Sequence, residues 1–222
     1  KIIDIINQRG VPDRELFIDV GAGYGVFLEE LKKISDFKEL VGIEPTPSLA
    51  EVCEKKGFKV IKKMAQVLSL ADLPEKASVM TCFEVLEHLI NPLDFFNVVG
   101  KFLKKEGLLI VSAPTVSGID VQLLWEKSKT IYPPHHINLL SVEGIRKLAA
   151  RLKDLEILEI TTPGMLDVDI IRNAKKEGIV GDLGRFFDYV FWREDEEIFK
   201  DLQEFCRKHN LSSHLMVVMR KK

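Results

Sequence analysis

The stretch Leu16–Leu31, which reads Leu-Phe-Ile-Asp-Val-Gly-Ala-Gly-Tyr-Gly-Val-Phe-Leu-Glu-Glu-Leu, decides the fold. An apolar run leads to Asp19, alternating glycines follow, and apolar residues then return at helical spacing. This order predicts a strand, a tight turn and a helix. Glycines let the chain turn sharply and let a ligand approach the backbone without a Cβ in the way. We expect the Asp19 carboxylate to accept hydrogen bonds from that ligand.

Apolar runs alternate with helical patterns through the first half of the chain. The predicted strands are Leu40–Ile43, Phe58–Ile61, Ala77–Phe83 and Gly107–Ala113. Such alternation predicts a parallel, doubly wound α/β sheet, and ligands of such sheets bind outside the carboxyl ends of the strands. Asp19, Glu44, Phe83 and Pro114 are expected at those ends.

The second half of the chain is less regular. Prolines make Tyr132–Asn138 a loop, and Ser141 is expected to cap a helix that runs to Leu152. A strand at Leu155–Thr162 and a last, antiparallel strand at Leu215–Met219 complete a predicted seven-stranded, mostly parallel sheet. The chain is interpreted as one domain, residues 1–222, with a helical insertion at 165–210 before the last strand.

Composition excludes several classes of protein. The net charge is −2, from 32 basic and 34 acidic residues, which argues against nucleic acid as a partner. No apolar run is long enough to span a bilayer, so no membrane partner is expected. The three cysteines are scattered, which predicts reduced thiols and a cytoplasmic protein. The sequence does not indicate an oligomeric state.

The glycine turn and Glu44 fit two classes of nucleotide-like ligand. An acidic residue at the end of a second strand accepts hydrogen bonds from ribose hydroxyls, whether in NAD or in S-adenosylmethionine (SAM). Dinucleotide sites use Gly-x-Gly-x-x-Gly, but here Gly25 comes one residue too early. Asp19–Gly25 instead reads Asp-x-Gly-x-Gly-x-Gly.

Three stretches together resemble the class I SAM-dependent methyltransferases, in particular the small-molecule type. They are Asp19–Gly25, the run Cys-Phe-Glu-Val-Leu-Glu-His-Leu at 82–89, and His-Ile-Asn-Leu-Leu-Ser at 136–141. The resemblance covers roughly residues 16–163 and implies a Rossmann-like fold, SAM as cofactor and a small-molecule acceptor. It also implies the following cofactor-binding residues: Asp19, Gly21, Ala22, Gly23, Gly25, Glu44, Pro45, Ala65, Gln66, Phe83, Glu84 and His88.

Histidines are the candidates for catalysis. SAM supplies an activated methyl group, so the protein mainly binds and orients two reactants, and a base helps an oxygen nucleophile. We expect His136, ahead of His135, to orient or deprotonate the acceptor, with His88 nearby. No metal site is expected, because Asp167 and Asp169 lack a histidine or asparagine partner at suitable spacing.

Two alternatives to a methyltransferase stay open on the sequence alone. An NAD-binding oxidoreductase needs a nicotinamide-side catalytic set such as Tyr-x-x-x-Lys, and none is present. A SAM-binding partner subunit without catalysis would keep all the cofactor motifs. The acceptor, and whether oxygen, nitrogen or carbon is methylated, does not follow from the fold.

Overall fold

The computed structural model describes residues 1–73 and 75–222. Helices and strands alternate from the N-terminus, as the apolar periodicity predicts. The strands are β1 (Leu16–Val20), β2 (Glu39–Ile43), β3 (Lys59–Ile61), β4 (Ala77–Phe83), β5 (Leu103–Pro114), β6 (Leu155–Thr161) and β7 (His214–Lys221). The α-helices are α1 (Ile2–Arg9), α2 (Val26–Ile34), α3 (Pro47–Lys55), α4 (Pro92–Val99), α5 (Ile119–Leu124), α6 (Val142–Ala149), α7 (Asp167–Lys176), α8 (Arg185–Trp192) and α9 (Glu196–Lys208).

Within the described residues, the strands form one seven-stranded sheet in the order β3-β2-β1-β4-β5-β7-β6. Neighbours from β3 to β5 are parallel, and β7 pairs antiparallel with both β5 and β6. The predicted Rossmann-like α/β sheet with an antiparallel last strand is therefore confirmed. The fifth strand begins at Leu103, earlier than the predicted Gly107, because the charged residues before Gly107 do not show the apolar pattern that marks a buried strand.

The sheet has an apolar core on each face. In β1, Leu16 and Ile18 pack into one core with Phe95 of α4 and Ile145 of α6, whereas Phe17 points to the other. That second core contains side chains of α1, α2 and α3. Both faces of β1 are thus covered by helices, which explains why its residues form a continuous apolar run with one buried acid.

Helices α7, α8 and α9 lie between β6 and β7, where the helical insertion at 165–210 was predicted. They share a third apolar core with α5, built on residues such as Leu124, Ile171 and Phe199. Whether this segment is an insertion in a single domain stays a prediction. No helix within the described ranges 1–73 and 75–222 is long and apolar enough to cross a membrane.

Asp167, which the sequence offered as a weak metal candidate, joins the helical segment to the last strand. Its buried carboxylate accepts hydrogen bonds from the Ser213 N–H at 2.5 Å, the Gln203 amide at 2.5 Å and the Ser212 hydroxyl. Burial by itself raises the pKa of Asp167, but these hydrogen bonds outweigh it and hold the pKa below its usual value. Asp167 therefore has a structural role.

We expect Asp167→Asn to lower the free energy of unfolding by about 2 kcal/mol, because an amide cannot accept all of these hydrogen bonds. Urea denaturation at pH 7 measures the loss. Asp169→Asn is the matched control, because Asp169 is exposed on the same helix, and its effect should stay within about 0.5 kcal/mol. Equal losses in the two variants would contradict the structural role of Asp167.

Candidate functional site

The glycine turn between β1 and α2 is fixed by the end of β2. The N–H groups of Gly21 and Ala22 donate to the carbonyl oxygen of Ile43, at 2.8 and 3.1 Å. Val20 and Ile43 are partners in the parallel pairing of β1 and β2, so the two strands end side by side. The turn therefore lies at the carboxyl edge of the sheet, where ligands of such folds bind.

Glu44 holds the same turn with its side chain. One carboxylate oxygen accepts the Gly23 N–H at 2.9 Å, and the other accepts the Thr46 N–H at 2.8 Å. Glu44 is only 5% exposed. A carboxylate offers about four acceptor positions, so these two bonds leave capacity for the hydroxyls of a ribose.

Asp19 lies buried beneath the turn, where its carboxylate accepts a hydrogen bond from the Thr81 hydroxyl at 2.7 Å. Burial, assisted by the nearby charge of Glu44, raises the pKa of Asp19 to about 7. The carboxyl group is thus poised between its neutral and charged forms near neutral pH. Contact with a ligand remains a prediction for this residue.

The turn after β4 begins with Glu84 in the left-handed backbone region, at φ 54°. Its N–H donates to the Ser112 carbonyl, and its carboxylate accepts from the Ser112 hydroxyl at 3.0 Å and from His214 Nε2 at 3.2 Å. Burial opposes the charge and is the largest single influence, but the hydrogen bonds from His214 and Ser112, together with the electrostatic attraction of His214, outweigh it and lower the pKa of Glu84. The same bond raises the pKa of His214.

Sequence reasoning missed His214. It is distant from Glu84 along the chain and belongs to no motif. The antiparallel pairing of β7 with β5, which places His214 opposite Pro114, brings it to the same edge of the sheet. Only the position of β7 inside the sheet, between β5 and β6, reveals this contact.

The turn after β4 packs directly on the glycine turn. A Cβ added to Gly21, which has φ 80°, would overlap the Val85 side chain. Phe83, expected in the cofactor pocket, packs its ring on Phe27 of α2, with centroids 5.0 Å apart. The two sequence motifs that indicated a ligand are therefore in contact.

The structure brings two of the three candidate histidines together. The ring centroids of His88 and His136 lie 5.2 Å apart. One nitrogen of each ring lies within 4.8 Å of a carboxylate oxygen of Glu87. The exposed ring of His135 instead stacks on Tyr132, with centroids 5.0 Å apart. The expectation that no metal site exists was based on Asp167 and Asp169, and it did not consider Glu87, His88 and His136, whose side chains are of types that can bind a metal.

The expected adenine and ribose contacts lie near the end of β3. Ala65 is buried and Gln66 half-buried in a single 3₁₀ turn over Ala65–Val67, and Pro45 is exposed beside Glu44. The Glu44 N–H donates to the Ile61 carbonyl of β3, so these residues share the carboxyl edge with the glycine turn. Their roles toward a cofactor stay predictions.

A family model described as "Methyltransferase domain" matches residues 2–160. The chain belongs to this family. The suspected class I SAM-dependent methyltransferase is thereby confirmed, and the family decides against the NAD-binding alternative. The matched range contains the glycine turn, Glu44, the Glu84–His88 turn and His136, but ends before α7.

The curated relatives of this methyltransferase are distant. The ubiquinone biosynthesis O-methyltransferase of Azorhizobium caulinodans is 28% identical over 99 residues, which cover 43% of this chain and 38% of the relative. The enzyme of the same name from Ruegeria sp. (strain TM1040) is 26% identical over 147 residues, or 58% of this chain and 59% of the relative. The chain therefore matches less than two thirds of these relatives' length.

Solved methyltransferases share the fold. A SAM-dependent methyltransferase from Clostridium acetobutylicum aligns with TM-score 0.63 and 12% identity, over 99% of this chain and 88% of that one. The plantazolicin methyltransferase BpumL in complex with S-adenosylhomocysteine (SAH) aligns with TM-score 0.59 and 16% identity, over 94% of this chain and 76% of that one.

Substitution of Gly23 tests whether the cofactor lies against the glycine turn, and substitution of Gly57 is the matched control. Both have positive φ, 53° and 87°, and a Cβ on either meets no protein atom within 4 Å. We expect each Gly→Ala change to cost about 1 kcal/mol in stability from backbone strain. Only Gly23→Ala should weaken SAH binding, by on the order of tenfold or more, because its Cβ would enter the space of the ligand. Isothermal titration calorimetry measures this, and equal SAH affinity in both variants would contradict it.

Proposed function

We propose that this chain transfers the methyl group of SAM to a small-molecule acceptor. The observation that carries the proposal is the bond between the Glu44 carboxylate and the Gly23 N–H. This bond joins the glycine turn after β1 to Glu44 after β2, at one edge of the sheet. The chain that contains this pair belongs to the methyltransferase family. A SAM molecule across this edge would place its ribose at Glu44 and its amino-acid end beside Gly21–Gly25.

The class of acceptor is supported by charge and by the relatives. A net charge of −2 gives no electrostatic attraction to nucleic acid. The curated relatives are named as O-methyltransferases of ubiquinone biosynthesis, and BpumL was solved in complex with a triazolic desmethylPZN analog and SAH. A small organic acceptor is consistent with both. The cytoplasmic compartment stays a prediction from the free, buried cysteines.

The reaction is an in-line displacement at the methyl carbon. A lone pair of the acceptor forms the new bond to carbon while the carbon–sulfur bond breaks, and its electrons return to sulfur to give SAH. The acceptor proton goes to a nearby base or to water. The contribution of the chain is to hold the two reactants in line and to exclude competing water.

Glu44→Gln tests the ribose contact. The amide loses the charge and one of the acceptors, so we expect SAH affinity to fall about 10- to 100-fold, as for loss of hydrogen bonds to a charged group. Glu39→Gln is the control, because Glu39 is exposed at the opposite end of the same strand. Calorimetry with SAH, with NAD as a second ligand, measures both. Unchanged SAH affinity in Glu44→Gln, or preference for NAD, would contradict the proposal.

Asp19 predicts a pH dependence of cofactor binding. Its pKa of about 7 means that the carboxylate form, which attracts the ammonium group of SAH, predominates only above neutrality. If binding requires that form, affinity should rise roughly tenfold from pH 6 to pH 8, following the ionised fraction. Asp19→Asn should remove most of this slope. A wild-type affinity that is flat, or that falls with rising pH, would refute the role of Asp19.

A further inference from the structure

Glu87, His88 and His136 form a cluster that the methyl-transfer proposal does not use. One potential ligand atom from each lies within 4.8 Å of the other two. Glu87 Oε1 is 3.6 Å from His88 Nε2. Two donors bound at about 2.1 Å to a tetrahedral metal stand roughly 3.4 Å apart, so this pair is already close to the separation that a shared metal requires.

The Glu87 carboxylate is buried, and its hydrogen bonds do not replace all of the water contacts that burial removes. Glu87 is 2% exposed, and its Oε2 has no hydrogen-bond partner within residues 1–73 and 75–222. A buried carboxylate oxygen without a partner is costly unless a proton or a cation compensates it. The two neighbouring imidazoles favour the cation.

Backbone carbonyl oxygens orient both histidine rings through Nδ1. His88 Nδ1 lies 2.7 Å from the carbonyl oxygen of His135, and His136 Nδ1 lies 2.9 Å from that of Thr130. A carbonyl can only accept, so each Nδ1 carries a hydrogen, and in the neutral ring the lone pair is then on Nε2. Histidines that bind metals typically donate their second ring N–H to a carbonyl or carboxylate in this way.

The backbone fixes the cluster before any ligand arrives. The N–H groups of Ile137 and Asn138 both donate to the Glu87 carbonyl, at 2.8 and 3.0 Å, and the Asn138 amide bonds to the Leu89 carbonyl. The loop Tyr132–Asn138, here called the histidine loop, is thus held against the 3₁₀ turn Leu86–His88. Since Val85 of the adjoining turn contacts Gly21, the cluster lies beside the proposed cofactor site.

We propose that Glu87, His88 and His136 bind a divalent metal ion of the Zn²⁺, Mn²⁺ or Fe²⁺ type. Two imidazoles with one carboxylate match these ions, whereas Mg²⁺ and Ca²⁺ prefer sites made entirely of oxygens. Three protein ligands leave coordination positions open, as in catalytic rather than structural sites.

The metal defines the substrate class, and this step rests on the proposed methyltransferase function. An open coordination position accepts a hydroxyl oxygen of the acceptor and lowers the pKa of that hydroxyl. The proton leaves to water, an oxygen lone pair attacks the methyl carbon of SAM, and the carbon–sulfur electrons return to sulfur. The site therefore favours O-methylation of a phenol or alcohol, and His136 acts as a metal ligand rather than as the base.

Metal binding is measured on the whole, untagged chain after removal of metals with a chelator. Calorimetric titration with ZnCl₂ should show one site per chain, and MgCl₂ should bind at least about tenfold more weakly. His88→Ala and His136→Ala should each lower Zn²⁺ affinity at least about tenfold. His135→Ala is the matched control, because its ring lies outside the cluster in the same loop. Circular dichroism confirms that each variant is folded.

Co²⁺ provides a second readout, because its visible absorption reports nitrogen ligands at low coordination number. We expect an intense band that His135→Ala keeps and His136→Ala loses. Absence of a Zn²⁺ site, or equal losses in His135→Ala and His136→Ala, would overturn the metal proposal. SAH titration distinguishes the two proposals: SAH binding without a metal site refutes only the metal, and a metal site without SAH binding refutes only the cofactor assignment.

Discussion

The Glu44 carboxylate is the constraint on which the candidate site depends. It lies at the end of β2 and accepts a hydrogen bond from the Gly23 N–H, so it fixes the turn that follows a different strand, β1. The parallel pairing of β1 and β2 makes this contact possible, because both strands end at the same level. One buried carboxylate therefore shapes the turn, and its remaining lone pairs are the ones that we propose for the ribose hydroxyls.

A second layer of the site depends on backbone hydrogen bonds between distant loops. The Glu87 carbonyl oxygen accepts hydrogen bonds from two backbone N–H groups of the histidine loop. The rings of His88 and His136 are each oriented by a backbone carbonyl oxygen. His136 thereby meets His88 and Glu87 although one strand, β5, and two α-helices, α4 and α5, separate them in sequence. A constellation held by main-chain contacts keeps its geometry with little dependence on mobile side chains.

Buried acids serve different purposes in this fold because their partners differ. Asp167 accepts several hydrogen bonds, which lower its pKa and keep it charged. These bonds connect α7 to α9 and to the residues before β7. Asp19 has the Thr81 hydroxyl and the repulsion of Glu44, so burial dominates and its pKa rises to about 7. Glu87 has an oxygen with no partner among the described residues. We therefore assign a structural role to Asp167 and propose ligand contacts for Asp19 and Glu87.

The sequence by itself determined the parallel α/β sheet, the antiparallel last strand, the glycine turn and the methyltransferase family. These follow from local signals, namely apolar periodicity, glycine spacing and short motifs such as Asp19–Gly25 and Glu84–His88. The tertiary structure alone decided which side chains meet. The position of β7 beside β5 brought His214 to Glu84, and the docking of the histidine loop on Glu87 separated His136 from His135. Such contacts depend on strand order and loop packing, which no local pattern encodes, because residues far apart in the chain meet only once the sheet has formed.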